Sequence, residues 1–172
     1  EIMPSLVGSE MCIRDRGKEV PLIAMAHGIP YVATASIADL RDLERKVKKA
    51  MTFHGARYIH VLVPCPLGWG AASKDTVKLA RLAQESGLFP VFEAEYGEIT
   101  NVTKIRKLAP VEDYMKLQKR YAHLFGPKAD QSALIRIKAI AERNIRRFGL
   151  LGDERSEPMP PAVQADERAD RL

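Results

Sequence analysis

Tyr58-Ile-His-Val-Leu-Val-Pro-Cys65-Pro-Leu-Gly-Trp69 is an apolar, β-branched run that ends in a cysteine held between two prolines. A run that is apolar at nearly every position reads as a strand covered on both faces, which predicts an α/β sheet. Ligands of open α/β sheets gather at the carboxyl ends of the strands, the position this reading gives Cys65. Pro64 and Pro66 stiffen the backbone on either side and remove two N–H donors, which suits a ligand held in one place. The competing reading is a small buried hydrophobe, as free cysteines commonly are, and one cysteine does not make a metal site by itself.

Working outward, helix and strand alternate. Glu19 to His27 reads as a short helix stopped by Gly28, and Pro30 introduces a strand, Tyr31 to Ala35. From Asp39, a plausible cap, Leu40, Leu43, Val47, Ala50 and Met51 fall at helical spacing up to Gly55. After the Cys65 to Gly70 turn, Ser73 and Asp75 open a helix carrying Val77, Ala80 and Ala83, which Gly87 ends. A third strand, Leu88 to Ala94, contains Pro90, which predicts an edge position or an irregular start. These βα units predict a sheet that is mostly parallel where helices cross over, flanked by helices.

Beyond Gly97 the pattern becomes a helical arm. Ile99 to Leu108 is polar and basic with little periodicity. Pro110 opens a helix with an apolar stripe at Tyr114, Leu117, Tyr121, Leu124 and Phe125, ended by Gly126-Pro127. A second helix, Asp130 to Phe148, carries Leu134, Ile137, Ala141, Ile145 and Phe148 on one side, to pack on its own domain or on a neighbour. Asp153 to Leu172 is rich in charge, proline and alanine and is expected to be a disordered tail.

The composition bounds the function classes. In 172 residues, 46% hydrophobic and 28% charged residues are ordinary globular values. Two cysteines argue against a disulfide framework and for a reducing compartment, the cytoplasm. The net charge of +5 and pI near 9.3 come from residues spread along amphipathic helices, without aromatic interleaving. That distribution predicts a solvated face or one that meets an acidic protein, not a nucleic-acid site. No apolar run is long enough for a membrane span.

Other polar residues have two readings each. His27 and His60 suit proton shuttles or satisfied core histidines. Thr34 and Ser36, near the end of the first strand, suit ligand contacts or capping of the next helix. Glu93 and Glu95 have the alternate spacing of one strand face and are read as an exposed edge, not as an acid/base pair.

Several segments in the same order resemble one family. They are His27-Gly-Ile-Pro-Tyr-Val-Ala-Thr-Ala-Ser36, Arg45-Lys-Val-Lys-Lys-Ala50, Tyr58-Ile-His-Val61, Pro64-Cys-Pro-Leu-Gly-Trp69, Leu79-Ala-Arg-Leu-Ala83, Glu85-Ser-Gly87, Phe89-Pro-Val-Phe-Glu93 and Pro110-Val-Glu-Asp-Tyr114. Together they resemble the C-terminal half of the thiamine-diphosphate-binding β subunit of pyruvate:ferredoxin oxidoreductase, also called pyruvate synthase, within the 2-oxoacid:ferredoxin oxidoreductases. The resemblance implies part of a thiamine-diphosphate-binding fold. It implies a complex that holds thiamine diphosphate with magnesium and a [4Fe–4S] cluster, and that works with other subunits, ferredoxin, pyruvate and coenzyme A.

Position by position, the resemblance implies one site residue, Cys65, matching the last cluster ligand of the family. Trp69 would then shield the cluster or anchor the turn. The family's earlier Cys-x-x-Cys pair, further cysteine, Gly-Asp-Gly and Asn-Thr-Gly elements have no counterpart here, and no catalytic residue is assigned. Residues 5–16, which include Cys12, resemble no part of the family and read as translated sequencing adapter, so the native sequence is expected to begin near Gly17 or Lys18. The expected organisation is 1–16 non-native, 17–97 the α/β part, 98–149 the helical arm and 150–172 the tail. The implied function is pyruvate oxidation to acetyl-coenzyme A, with the isolated chain inactive. The alternatives are a β subunit for branched-chain, aryl or 2-oxoglutarate substrates, of which the Pro-Cys-Pro-Leu-Gly-Trp form disfavours the last, and a non-catalytic scaffold.

Overall fold

The computed structural model describes residues 19–126 and 131–152. The segment read as adapter and the tail residues from 153 on lie outside them. Helix α1 (Val20–Ala26) leads into strand β1 (Tyr31–Ser36), then α2 (Leu40–Ala50) and β2 (Arg57–Leu62). The turn helix α3 (Pro66–Trp69), a 3-10 turn (Ser73–Asp75) and α4 (Thr76–Glu85) follow. Next come β3 (Phe92–Glu95) and β4 (Glu98–Val102), then α5 (Val111–Lys116), a second 3-10 segment (Lys119–Leu124) and α6 (Gln131–Phe148).

The four strands run in the order β2-β1-β3-β4. The parallel expectation holds at β1–β2, where α2 crosses over, but β3 pairs antiparallel with both β1 and β4. The sheet is therefore mixed rather than mostly parallel. Strand β4 was not foreseen; a two-residue hairpin at Tyr96-Gly97, both at positive φ (51° and 89°), turns the chain back. Pro90 marks an irregular start and not an edge: β3 lies inside the sheet, and the Pro90 carbonyl accepts the Thr34 hydroxyl at 2.8 Å.

β1 is buried at every position because both faces of the sheet are covered. On one face Tyr31 and Ala33 meet Ala50, Phe53 and Ile59. On the other, Val32, Phe92 and Ala94 meet Ala24, Phe148 and Leu150, with the Phe92 and Phe148 rings stacked at 5.0 Å. Asp39 caps α2 as foreseen, accepting from the N–H groups of Arg41 and Asp42.

Helices α4, α5 and α6 and the second 3-10 segment share a core of Leu79, Ala83, Tyr114, Met115, Leu124 and Ile137. The stripe of α6 thus packs within its own domain. The helix expected from Pro110 to Phe125 breaks at Gln118, whose backbone is extended (φ −125°, ψ 117°). Its buried side chain donates to the Tyr114 carbonyl at 2.7 Å, and the chain resumes as a 3-10 segment with Tyr121 and Leu124 still inward. Among the described residues no helix is long and apolar enough to cross a membrane.

Candidate functional site at the Cys65 turn

Strands β1 and β2 run in parallel register from Tyr31↔Arg57 to Ser36↔Leu62, so both chains leave the sheet at the same end. The Ile37 N–H still reaches the Leu62 carbonyl at 3.3 Å beyond the last pair. Pro64 is buried, and one residue later Cys65 stands exposed. The reading of Cys65 as a buried hydrophobe is thereby set aside.

The thiol is held by its own turn. Cys65 is the residue before α3, with Pro66 in the first helical position where a missing N–H costs nothing. Trp69 N–H donates to the Cys65 carbonyl at 3.0 Å, Ala71 N–H to the Pro66 carbonyl at 3.0 Å, and Gly68 N–H to Cys65 Sγ at 3.4 Å. Leu67, 95% exposed, and Val63, 57% exposed, flank the cysteine with apolar surface.

A second layer braces this turn from behind. Gly70 ends α3 in the left-handed region, and its carbonyl accepts from the Lys119 N–H at 3.3 Å. Arg120 follows, its guanidinium 4.0 Å from the Trp69 ring centre and 4.7 Å from that of Tyr121. Sequence reading missed Arg120, because nothing in a basic stretch of chain marks the one arginine that reaches Trp69. Trp69 serves here as the anchor of the turn.

The remaining candidates have structural partners. Thr34 Oγ1 donates to the Pro90 carbonyl and accepts from Phe92 N–H, which ties β1 to the start of β3. Ser36 Oγ accepts from Ala38 N–H and from Gln84 Nε2. His27 is exposed at the end of α1. His60 packs edge-on against Tyr58 and Phe89. Its Nδ1 is buried and finds no hydrogen-bond partner among the described residues, and burial pushes its pKa below the usual imidazole range. His60 and Thr34 line one wall of a cavity of about 540 Å³ against Phe89, Phe92, Asn144 and Phe148.

Glu93 overturns its expectation. It is fully buried on the interior strand β3, where it accepts from Tyr31 Oη, Lys49 Nζ and Asn101 Nδ2 and pairs with Arg45. Burial alone would raise its pKa, but hydrogen bonds from Asn101, Arg45, Tyr31 and Lys49 outweigh that and hold the carboxyl at about 2. Glu95 is half-buried and pairs with Lys49 at 2.8 Å.

As a cofactor site the turn offers one sulfur donor. An exposed thiol on a stiff turn, with an N–H aimed at the sulfur, fits one ligand position of an iron–sulfur cluster. Among the described residues no group of three or more His, Cys, Asp or Glu is placed to hold a metal ion. The sequence supplies neither the Gly-Asp-Gly nor the Asn-Thr-Gly element for thiamine diphosphate, and no step through that group is derived.

No family model matches the chain. Among characterised proteins it is 48% identical over 133 residues to pyruvate synthase subunit PorB of Methanosarcina barkeri, covering 77% of this chain and 45% of the relative. It is 48% identical over 121 residues to the PorB subunit of Methanocaldococcus jannaschii, covering 70% and 41%. Ketoisovalerate oxidoreductase subunit VorB of Pyrococcus abyssi is 41% identical over 109 residues, covering 62% and 35%. The chain spans about half the length of the curated relatives it matches. Identity at this level across most of the chain, to subunits of two related enzymes, places it: the chain belongs to the β-subunit family of the 2-oxoacid:ferredoxin oxidoreductases, represented by these PorB and VorB subunits.

Proposed function

We propose that this chain is the C-terminal half of the β subunit of a pyruvate:ferredoxin oxidoreductase, and that Cys65 is its ligand to a [4Fe–4S] cluster. The whole enzyme would convert pyruvate and coenzyme A to acetyl-coenzyme A and carbon dioxide, passing the electrons to ferredoxin in the cytoplasm. The observation that carries the reading is the exposed Cys65 at the carboxyl end of β2, in a chain 48% identical to PorB over 133 residues.

When bound, the cluster supplies one-electron transfer. The chain's own part is to present the sulfur: Pro64 and Pro66 remove backbone freedom, and Gly68 N–H donates to the sulfur at 3.4 Å. The exposed Val63 and Leu67 beside Cys65 suit contact with the polypeptide that supplies the other ligands, since apolar side chains at a ligand need covering. Thiamine diphosphate with magnesium would be bound by that other polypeptide.

The test is iron content and the electron-paramagnetic signal of the complete β subunit, recovered with its upstream sequence and assembled with its partner subunits. Wild type is expected to hold about four irons per chain, and Cys65→Ser to lose the cluster or its signal. Equal iron and an unchanged signal in Cys65→Ser would refute the assignment. The VorB relatives, at 41% identity, support a second reading in which the substrate is a branched-chain 2-oxo acid. Relative kcat/KM for pyruvate and 2-oxoisovalerate in the assembled enzyme decides between them.

A further inference from the structure

We propose that Arg120 is the positioning residue of the Cys65 turn: its guanidinium locks Trp69 and, through it, sets how the sulfur is presented. The consequence for a cluster rests on the reading of Cys65 given above; the clamp itself rests on geometry alone.

Four contacts fix the guanidinium. The Trp69 and Tyr121 rings lie 4.0 and 4.7 Å from it, Arg120 Nε donates to Gln118 Oε1 at 2.8 Å, and Nη2 donates to the Tyr114 hydroxyl at 3.3 Å. Gln118 is itself 1% exposed and anchored to the Tyr114 carbonyl, so the fork is oriented from a buried base. A lysine could not reproduce this, because only the planar guanidinium stacks on a ring while donating sideways.

Trp69 transmits the constraint. It is the last residue of the helical turn that Cys65 opens, and its N–H donates to the Cys65 carbonyl. With the indole held, the peptide between Cys65 and Gly68 has one arrangement, the one in which Gly68 N–H meets the sulfur. Without it, α3 is a single exposed turn, too short to be stable on its own.

Trp69 is the single tryptophan of the chain, so its emission reports the clamp directly. In the full chain carrying Cys12→Ser, Arg120→Ala is expected to shift Trp69 emission to the red, increase acrylamide quenching, and raise the rate of Cys65 alkylation by iodoacetamide. The rate should change roughly two- to thirty-fold, the range one cation–π contact supports. Arg120→Lys should fall between the two and carries the test if the alanine variant fails to fold by circular dichroism. Unchanged emission and alkylation in a folded variant would overturn the proposal.

In the assembled β subunit, Arg120→Ala should keep its iron and lower the reduction potential of the cluster, because the Gly68 N–H contact to the sulfur that the clamp fixes is lost. An unchanged potential at full iron occupancy overturns the functional half. Absence of iron from the wild type would instead refute the cluster reading, leaving the clamp to be decided by Trp69 and Cys65.

Discussion

Tyr31 on β1 donates its phenolic O–H to Glu93 on β3 at 2.9 Å, with both residues fully buried. This bond joins the two central strands on the face that α2 covers, and Arg45 and Lys49 of α2 close on the same carboxylate. Removing the carboxylate would leave the buried Tyr31 hydroxyl without its acceptor and take one of two carboxylate partners from each cation, Arg45 keeping Asp42 and Lys49 keeping Glu95. Glu93→Ala is therefore expected to cost about 1–3 kcal/mol, and Glu93→Gln less, since the amide oxygen still accepts from Tyr31. Urea unfolding followed by circular dichroism measures both. A Glu93→Ala chain as stable as wild type would show that the network does not hold the sheet.

Acid should destabilise the protein in two stages. The Glu93 pKa is depressed in the fold to about 2 from an ordinary 4.5. The unfolded chain therefore binds the proton first, and this group's contribution is complete above about pH 4.5 and is lost as pH falls toward 2. The shift corresponds to about 3 kcal/mol. His60 is also depressed, by burial, so its loss starts earlier, as pH falls through 6.5. His60→Phe should flatten the stability profile between pH 6.5 and 5 while leaving the steeper loss below pH 4.5 in place. A profile from His60→Phe that matches wild type over the upper range would count against the assignment.

The strand through Val61 and the helix through Leu43 were legible as elements because one element alone sets their pattern. The turn at Cys65 was legible for the same reason, its prolines being its neighbours in sequence. The burial of that strand and helix was not legible: β2 is an edge strand with no buried residue, and α2 buries Lys46 and Ala50 while Leu40, Val47 and Met51 stay exposed. Glu93 was not, because Glu-Ala-Glu alternates as a solvent-facing strand does, and the groups that satisfy it, Tyr31, Arg45, Lys49 and Asn101, come from three other elements. β4 was hidden because its residues are mostly exposed and carry little apolar periodicity. Arg120 was hidden because its role depends on a close approach between Gly70 and Lys119 that only the fold creates.

That close approach predicts a contrast between two glycines of similar φ. A Cβ on Gly70 (φ 62°) would lie 2.7 Å from Lys119 Cβ, whereas one on Gly28 (φ 70°) meets nothing within 4 Å. Gly28→Ala should cost about 1 kcal/mol for the left-handed backbone alone. Gly70→Ala should cost more, and should also raise Cys65 alkylation by pushing residues 119 and 120 off the turn. Thermal melts and alkylation rates of the two variants, compared side by side, test this; equal behaviour would mean that the second 3-10 segment does not brace the turn.

The Lys46–Asp42 pair predicts an asymmetry. Lys46 is 1% exposed, and its ammonium donates to the Thr34 carbonyl at 2.9 Å and to Asp42 at 2.6 Å. Burial lowers its pKa from 10.5 despite Asp42. Lys46→Met keeps the apolar stem and removes the charge, and Asp42 still pairs with Arg45, so the cost should stay within about 1–2 kcal/mol. Asp42→Asn leaves a buried ammonium short of its counter-charge and should cost about 3 kcal/mol. The sign with pH follows: folding favours release of the Lys46 proton, so the unfolded chain binds more protons below 10.5, and stability should rise as pH climbs toward that value. The rise should be steeper in Asp42→Asn than in wild type and absent in Lys46→Met. Denaturant midpoints at pH 7 and pH 9.5 for the three chains measure it, and a Lys46→Met chain less stable than Asp42→Asn would mean that the ammonium supports the sheet more than it strains it.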